Sequence, residues 1–174
     1  GENLEPVLER ALERGSVTAE ELWTLAGEAP WPPGHRLAFL EAWSASAGSA
    51  ERAGDAEMLR AEILHQDDRL PEALNAVRKA LEIQGLNHGT RSRPYLAALH
   101  LGALLLIEAQ EIEIGLEQME TCVELAAELL EPGDAKRSTI LENHAKALIR
   151  GGRLRQARGP FEEALRLTEE SRGV

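Results

Sequence analysis

The chain has 174 residues, 43 % of them hydrophobic and only 3 % aromatic, with a net charge of −11. That length buries one continuous core and gives no reason to divide 1–174 into two domains. The acidic balance, without aromatic residues interleaved among the basic ones, argues against direct binding to nucleic acid. Ala, Leu and Glu dominate and β-branched alternation is absent, so an all-α protein without sheet is predicted.

In chain order, a short helix over 4–14 comes first. Thr18 followed by Glu21 is a capping box that opens a helix through Trp23. Pro30, Pro32 and Pro33 then forbid helix until about Gly34. Over 35–53 the pattern is helical again, with Leu37, Leu40, Trp43 and Ala47 on one face. Segment 1–53 is thus a divergent N-terminal region ahead of a more regular array.

From there on, three windows carry the same residue types, each 42 residues after the last. Ala73, Gly115 and Ala157 form a small column, Val77, Met119 and Phe161 a bulky one, and Ala80, Cys122 and Ala164 a second small one. Leu81, Val123 and Leu165 follow, then Ile83, Leu125 and Leu167, while Leu70, Ile112 and Leu154 keep the register upstream. Positions three and four apart share a helix face, so each window holds an amphipathic helix whose small residues admit a neighbour closely. Turns precede these helices at Asp67-Asp68, Gln110 and Gly151-Gly152. Ahead of each turn lies another helix with a small residue near its middle, namely Ala61, Gly102 and Ala145. The unit is helix, turn, helix, and such units stack because each exposes an apolar face that only the next can cover. Eight or nine helices are expected over the whole chain.

These residues resemble the tetratricopeptide repeat (TPR), with its small residue in the first helix and Ala, aromatic and Ala in the second. Ala145, Gly152, Ala157, Phe161 and Ala164 fit best; the earlier units substitute Gly102, Gly115, Met119 and Cys122, and Ala61, Ala73, Val77 and Ala80. The units run over 54–87, 92–131 and 134–172. Their period exceeds the family's usual length of about 34 residues, as in kinesin light chains and the sensor arms of some bacterial regulators. The family's Pro closing the second helix is missing, so that helix can run on, as from Glu113 to Leu130 before Pro132-Gly133. The resemblance implies an α-solenoid of antiparallel helix pairs with a right-handed superhelical sweep, in which first helices line the recognition groove. It implies a non-catalytic scaffold binding a protein or peptide, or alternatively the ligand-sensing arm of a transcription regulator or signalling protein. The Ala-, Arg- and Leu-rich composition suggests that it is part of a larger bacterial polypeptide.

On that frame the first-helix positions are Met58, Glu62 and His65 in the earlier unit, then Leu96, Leu99, His100, Ala103 and Leu106, then Asn143, Lys146 and Arg150 beside Glu142. The segment 96–107 is apolar apart from His100, and far shorter than the roughly 20 residues that span a bilayer. Leu96, Leu99, His100, Ala103, Leu106, Asn143, Lys146 and Arg150 are therefore the candidate partner-binding residues. A groove apolar in its middle and basic at one end suits an amphipathic or acidic peptide. The uneven charge has a plainer use as well. No Lys or Arg stands between Pro94 and Ala135, whereas Lys136, Arg137, Lys146, Arg150, Arg153, Arg155 and Arg158 follow, an arrangement that supplies salt bridges between units.

Nothing in the sequence points to catalysis, a metal or a cofactor. The five histidines have no partner at i, i+4 spacing, and no base accompanies a nucleophile. His100 and His144 fall near the middle of successive first helices and could meet, although a packed, singly hydrogen-bonded histidine is the safer expectation. Cys122 cannot form an intramolecular disulfide, which fits a reducing, cytoplasmic setting or indifference to redox. No membrane segment or apolar leader is seen, and the chain begins with Gly, so an excised or processed chain is expected. Phe161 is expected to be the buried wedge of the last unit, with Pro160 bending its helix. The face beside Phe161 and Leu165 has no following unit to cover it, so a further repeat, a partner or a second copy, as in a homodimer, is expected there.

Overall fold

The computed structural model describes residues 36–38, 40–41 and 50–172. The expected helix over 4–14, the Thr18–Glu21 box and the Pro30–Pro33 break lie outside the described residues. Residues 36–38 and 40–41 are helical, in agreement with the pattern over 35–53. Six helices follow: α1 (Ala50–Gln66), α2 (Leu70–His88), α3 (Arg93–Glu108), α4 (Ile112–Leu129), α5 (Ala135–Arg150) and α6 (Leu154–Arg172). There is no strand among the described residues. The fold is all-α, with helices packed in adjacent pairs. Leu70, Ile112 and Leu154, the upstream register positions, are the first residues of the three second helices.

The three turns inside the pairs are the same device. Asp68, Gln110 and Gly152 have φ of 58°, 67° and 74°, the left-handed conformation. One residue on, the amides of Arg69, Glu111 and Arg153 donate to the carbonyls of Leu64, Leu106 and Leu148 at 2.8, 2.9 and 2.8 Å. The left-handed residues themselves donate to His65, Ile107 and Ile149. This is the Schellman cap, which satisfies the last carbonyls of the first helix while reversing the chain. Between pairs the devices differ. Ser92 caps α3, with Pro94 in its first turn, and Asp134 caps α5 by accepting the Lys136 amide at 2.9 Å.

The described chain groups into two compact units, Gly1–Ile83 and Gln84–Val174, with the boundary inside α2. In the first, Ala61, Ile63 and Leu64 of α1 are buried, as are Ala73, Ala76, Val77 and Ala80 of α2. The side chains of Arg36 and Gln66 are joined by a 2.9 Å hydrogen bond.

In the second unit α3 packs on α4, α4 on α5, and α5 on α6. The small columns explain how closely. A Cβ on Gly115 would lie 2.6 Å from Ile107 Cγ1 and 3.1 Å from the Ala103 carbonyl oxygen, so α4 meets α3 through bare backbone. Cys122, Ala145, Ala157 and Ala164 are all buried. Successive pairs interlock where Val123 of α4 packs against Leu141 of α5 and Ala164 and Leu167 of α6.

The bulky column breaks at its last member. Val77 and Met119 are buried, but Phe161 is 36 % exposed, and Leu165 and Leu154 are 59 % and 66 % exposed. Phe161 is therefore not the buried wedge expected from the sequence. The difference is positional: α4 is followed by another pair, against which its Val123 packs, whereas no helix follows α6 among the described residues. Pro160 lies inside α6, which starts at Leu154 and continues through it. Proline in a helix removes one donor and crowds the preceding residue's Cβ. Here the preceding residue is Gly159, which has none.

Candidate functional site

The first helices α3 and α5 stand next to each other in the second unit. At the level of one side chain they are joined: the Asn143 amide nitrogen lies 3.1 Å from His100 Nε2. An amide NH2 only donates, so Nε2 accepts and the imidazole is neutral with its proton on Nδ1. Burial enforces the same state by pushing the His100 pKa from 6.5 down to about 4. Of the expected residues, His100 and Asn143 are thus brought together.

Others on α3 are placed elsewhere. Leu96, Leu99 and Ala103 are buried in the core, and Leu106 is half-buried with its carbonyl committed to the turn. The α3 face that keeps solvent contact is Ala97, His100, Leu101 and Leu104. Leu101 and Leu104 are not among the sequence candidates. They precede Asn143 and Lys146 by the same 42 residues as the other columns, so a usable signal is present.

On α5, Lys146 is exposed and its ammonium pairs with Glu142 at 2.6 Å on the same helix. Arg150 is exposed and makes no ion pair among the described residues. The two helices therefore offer adjoining stripes. The α3 stripe is apolar, and the α5 stripe runs Thr139, Asn143, Lys146 and Arg150.

His144 does not meet His100. Both of its ring nitrogens are buried and lack a hydrogen-bond partner among the described residues. Burial lowers its pKa, and the charge of Glu120 partly opposes that shift. In the first unit, Met58, Glu62 and His65 are half-buried, and burial raises the Glu62 pKa. A cleft of about 170 Å³ between α1 and α2 is lined by charged and polar side chains including Glu57, Arg60, Glu72 and Lys79. That is below the roughly 300 Å³ at which pockets for small-molecule ligands begin.

The charge alternation is used for pairing between elements. Arg153, in the turn before α6, binds Glu113 of α4, and Arg91, ahead of α3, binds Glu128 of α4. Arg93 approaches Asp134 at 3.9 Å. Within α6, Arg158 pairs with Glu162, and Arg166 with Glu163 and Glu170. Cys122 is buried and its thiol is pushed up to about 12, which removes it as a nucleophile. No cluster of three metal-ligating side chains occurs among the described residues. No described helix is long and apolar enough to cross a membrane.

No protein-family model and no curated protein sequence matches the chain. Solved structures do. The chain is similar to the TPR-like repeats of a protein described as a kinesin light chain from Podosopora anserina. For a point variant of those repeats the TM-score is 0.62 at 15 % identity, covering 97 % of this chain and 94 % of that one. A second structure of the repeats gives 0.60 at 16 %, covering 95 % and 93 %. BtubC (BKLC) from P. vanneervenii gives 0.50 at 14 % identity, covering 95 % and 89 %. At such identities the likeness speaks for the fold, and the fold is that of TPR-like helical repeats.

Proposed function

We propose that the chain is a non-catalytic protein- or peptide-binding scaffold, and that the adjoining stripes of α3 and α5 receive the ligand. The observation that carries this reading is the pairing of an apolar, half-open face (Leu101, Leu104) with a basic one (Lys146, Arg150) across the His100–Asn143 bridge. The preferred ligand is an amphipathic helix or extended segment whose apolar side meets α3 and whose acidic flank meets α5. Of the residues named from the sequence, His100, Asn143, Lys146 and Arg150 are retained as ligand-facing. Leu96, Leu99 and Ala103 support them from beneath, and Leu106 shapes the end of the stripe.

The test is binding of fluorescent amphipathic peptides, with acidic and with neutral flanks, to the chain and to its Lys146→Glu/Arg150→Glu variant. The expected result is capture of the acidic peptide, weakened by about tenfold or more in the variant at low salt and less so at high salt. Equal affinity of both proteins for every peptide that binds would place recognition away from α5.

A further inference from the structure

The exposed stripe of α6 is built to be covered. In α4 the corresponding residues are Ile112, Met119 and Val123. Met119 is fully buried there, and Val123 packs against Leu141, Ala164 and Leu167 of the next pair. In α6 the same positions, Leu154, Phe161 and Leu165, face solvent. Leu154, Phe161 and Leu165 recur over about three helical turns, with Arg158 between the first two drawn off to Glu162, and exposed apolar residues so aligned suit a helix–helix interface.

The rim says which helix fits. The first half of α6 carries Arg155 and Arg158, and the second half carries Glu163, Glu169 and Glu170 with Arg166 and Arg172 among them, Glu162 standing near the middle. Arg158, Glu162, Glu163, Arg166 and Glu170 are engaged within the helix. Arg155 and Glu169 are exposed and make no ion pair among the described residues. They stand 14 residues apart, two heptads, and so flank the stripe on the same side. Two such helices set antiparallel about a two-fold axis near Glu162 bring each Arg155 opposite Glu169 of the other copy. Phe161 and Leu165 of both copies then interdigitate at the centre. Glu162, which lies near the axis, is already neutralised by Arg158. The same register brings Arg158 near Arg166 of the other copy, and each of these is already neutralised by glutamates of its own helix.

We infer that the chain forms a two-fold homodimer through α6, with Phe161 and Leu165 at its centre and two reciprocal Arg155–Glu169 pairs at its rim. This interface leaves the Lys146–Arg150 stripe of α5 outside the set of residues it uses, so it stands or falls independently of the peptide reading.

Sedimentation velocity and light scattering of the whole chain, from about 1 to 100 µM, test the inference. The expected result is a particle of twice the chain mass that Leu165→Glu reduces to monomer. Arg155→Glu alone and Glu169→Arg alone each weaken association by about tenfold at low salt, and the double exchange restores it. Circular dichroism checks that each variant is folded, and the two rim positions are exposed enough for substitution to spare the core. A monomer at the highest concentration overturns the inference and assigns the face to a different chain segment. A dimer that ignores Leu165→Glu, or that the double exchange fails to restore, overturns it too.

Discussion

A single residue's worth in this chain depends on which pair it belongs to. Met119 and Phe161 are the same column 42 residues apart, yet one is fully buried and the other 36 % exposed. Met119→Ala is expected to cost about 2–5 kcal/mol, the range for emptying a packed core site. Phe161→Ala should cost less, about 1–2 kcal/mol, because about a third of the residue already contacts water. Urea unfolding of both variants, run below the concentration at which the chain associates, gives the comparison. Equal losses would show Phe161 to be covered within the monomer. The column itself is legible in the sequence, since size alternation at helical spacing is a direct record of close packing. What covers a column is not, because that depends on an element in the next unit. Gly115 makes the complementary point: its lack of a Cβ is required by Ile107 and by the Ala103 carbonyl, and the register marks it as a small site.

Among the elements, the turns and α3 teach opposite lessons. Asp68, Gln110 and Gly152 all adopt the left-handed cap conformation, and only one of the three is glycine. A residue with a Cβ is strained there by roughly 1 kcal/mol relative to glycine. Gln110→Gly should therefore raise stability by about 0.5–1 kcal/mol, and Gly152→Ala should lower it by a similar amount. Thermal melts of both variants check this pair of opposite signs, and a loss in Gln110→Gly would mean that its side chain contributes more than its backbone strain costs. These turns can be placed from the sequence because breaks between periodic segments are visible in it. The orientation of α3 cannot be read from α3 alone. A helix apolar around nearly its whole circumference carries no internal mark of which side faces solvent. Leu96, Leu99 and Ala103 accordingly stand out in the sequence, whereas Ala97, Leu101 and Leu104 keep solvent contact in the fold. The polar residues of α5, carried back one period, supply the missing phase: Thr139, Asn143 and Lys146 land on Ala97, Leu101 and Leu104. Repeat register is thus a better guide to the exposed face than the hydrophobicity of the helix that bears it. On α6 the helix runs through Pro160, and Gly159 spares the clash that a Cβ would make with the Pro160 ring.

At the scale of the whole molecule, the titration of a few buried groups sets how the fold responds to acid. His100 is held at about 4 against 6.5 for a free imidazole, and His144 is lowered in the same direction, both mainly by burial. A histidine whose folded pKa is depressed binds its proton more readily when unfolded. Its contribution to stability is therefore complete above about pH 6.5 and is lost as the pH falls toward 4. For His100 the span bounds that loss at roughly 3 kcal/mol, of which about 2 kcal/mol is gone by pH 5. Protonation would set an N–H of the ring against the Asn143 NH2, so the bridge between α3 and α5 persists there only if that amide turns its oxygen to the ring. Glu62 acts in the opposite sense, since burial raises its pKa and its protonation favours the folded state at the acid end of the window. Glu72, Glu128 and Glu163 are lowered by their arginine partners but are exposed, and water screens those pairs. Among the described residues, His100 and His144 are thus the buried groups whose protonation costs stability as the pH falls from 6.5 toward 4. Urea midpoints should be flat above about pH 6.5 and fall from there to pH 5. His100→Gln, which keeps an acceptor for Asn143 without a titrating ring, should flatten that fall by about half or more. An unchanged slope in the variant would mean that His100 is solvated in the folded chain and that the α3–α5 bridge does not govern its acid response.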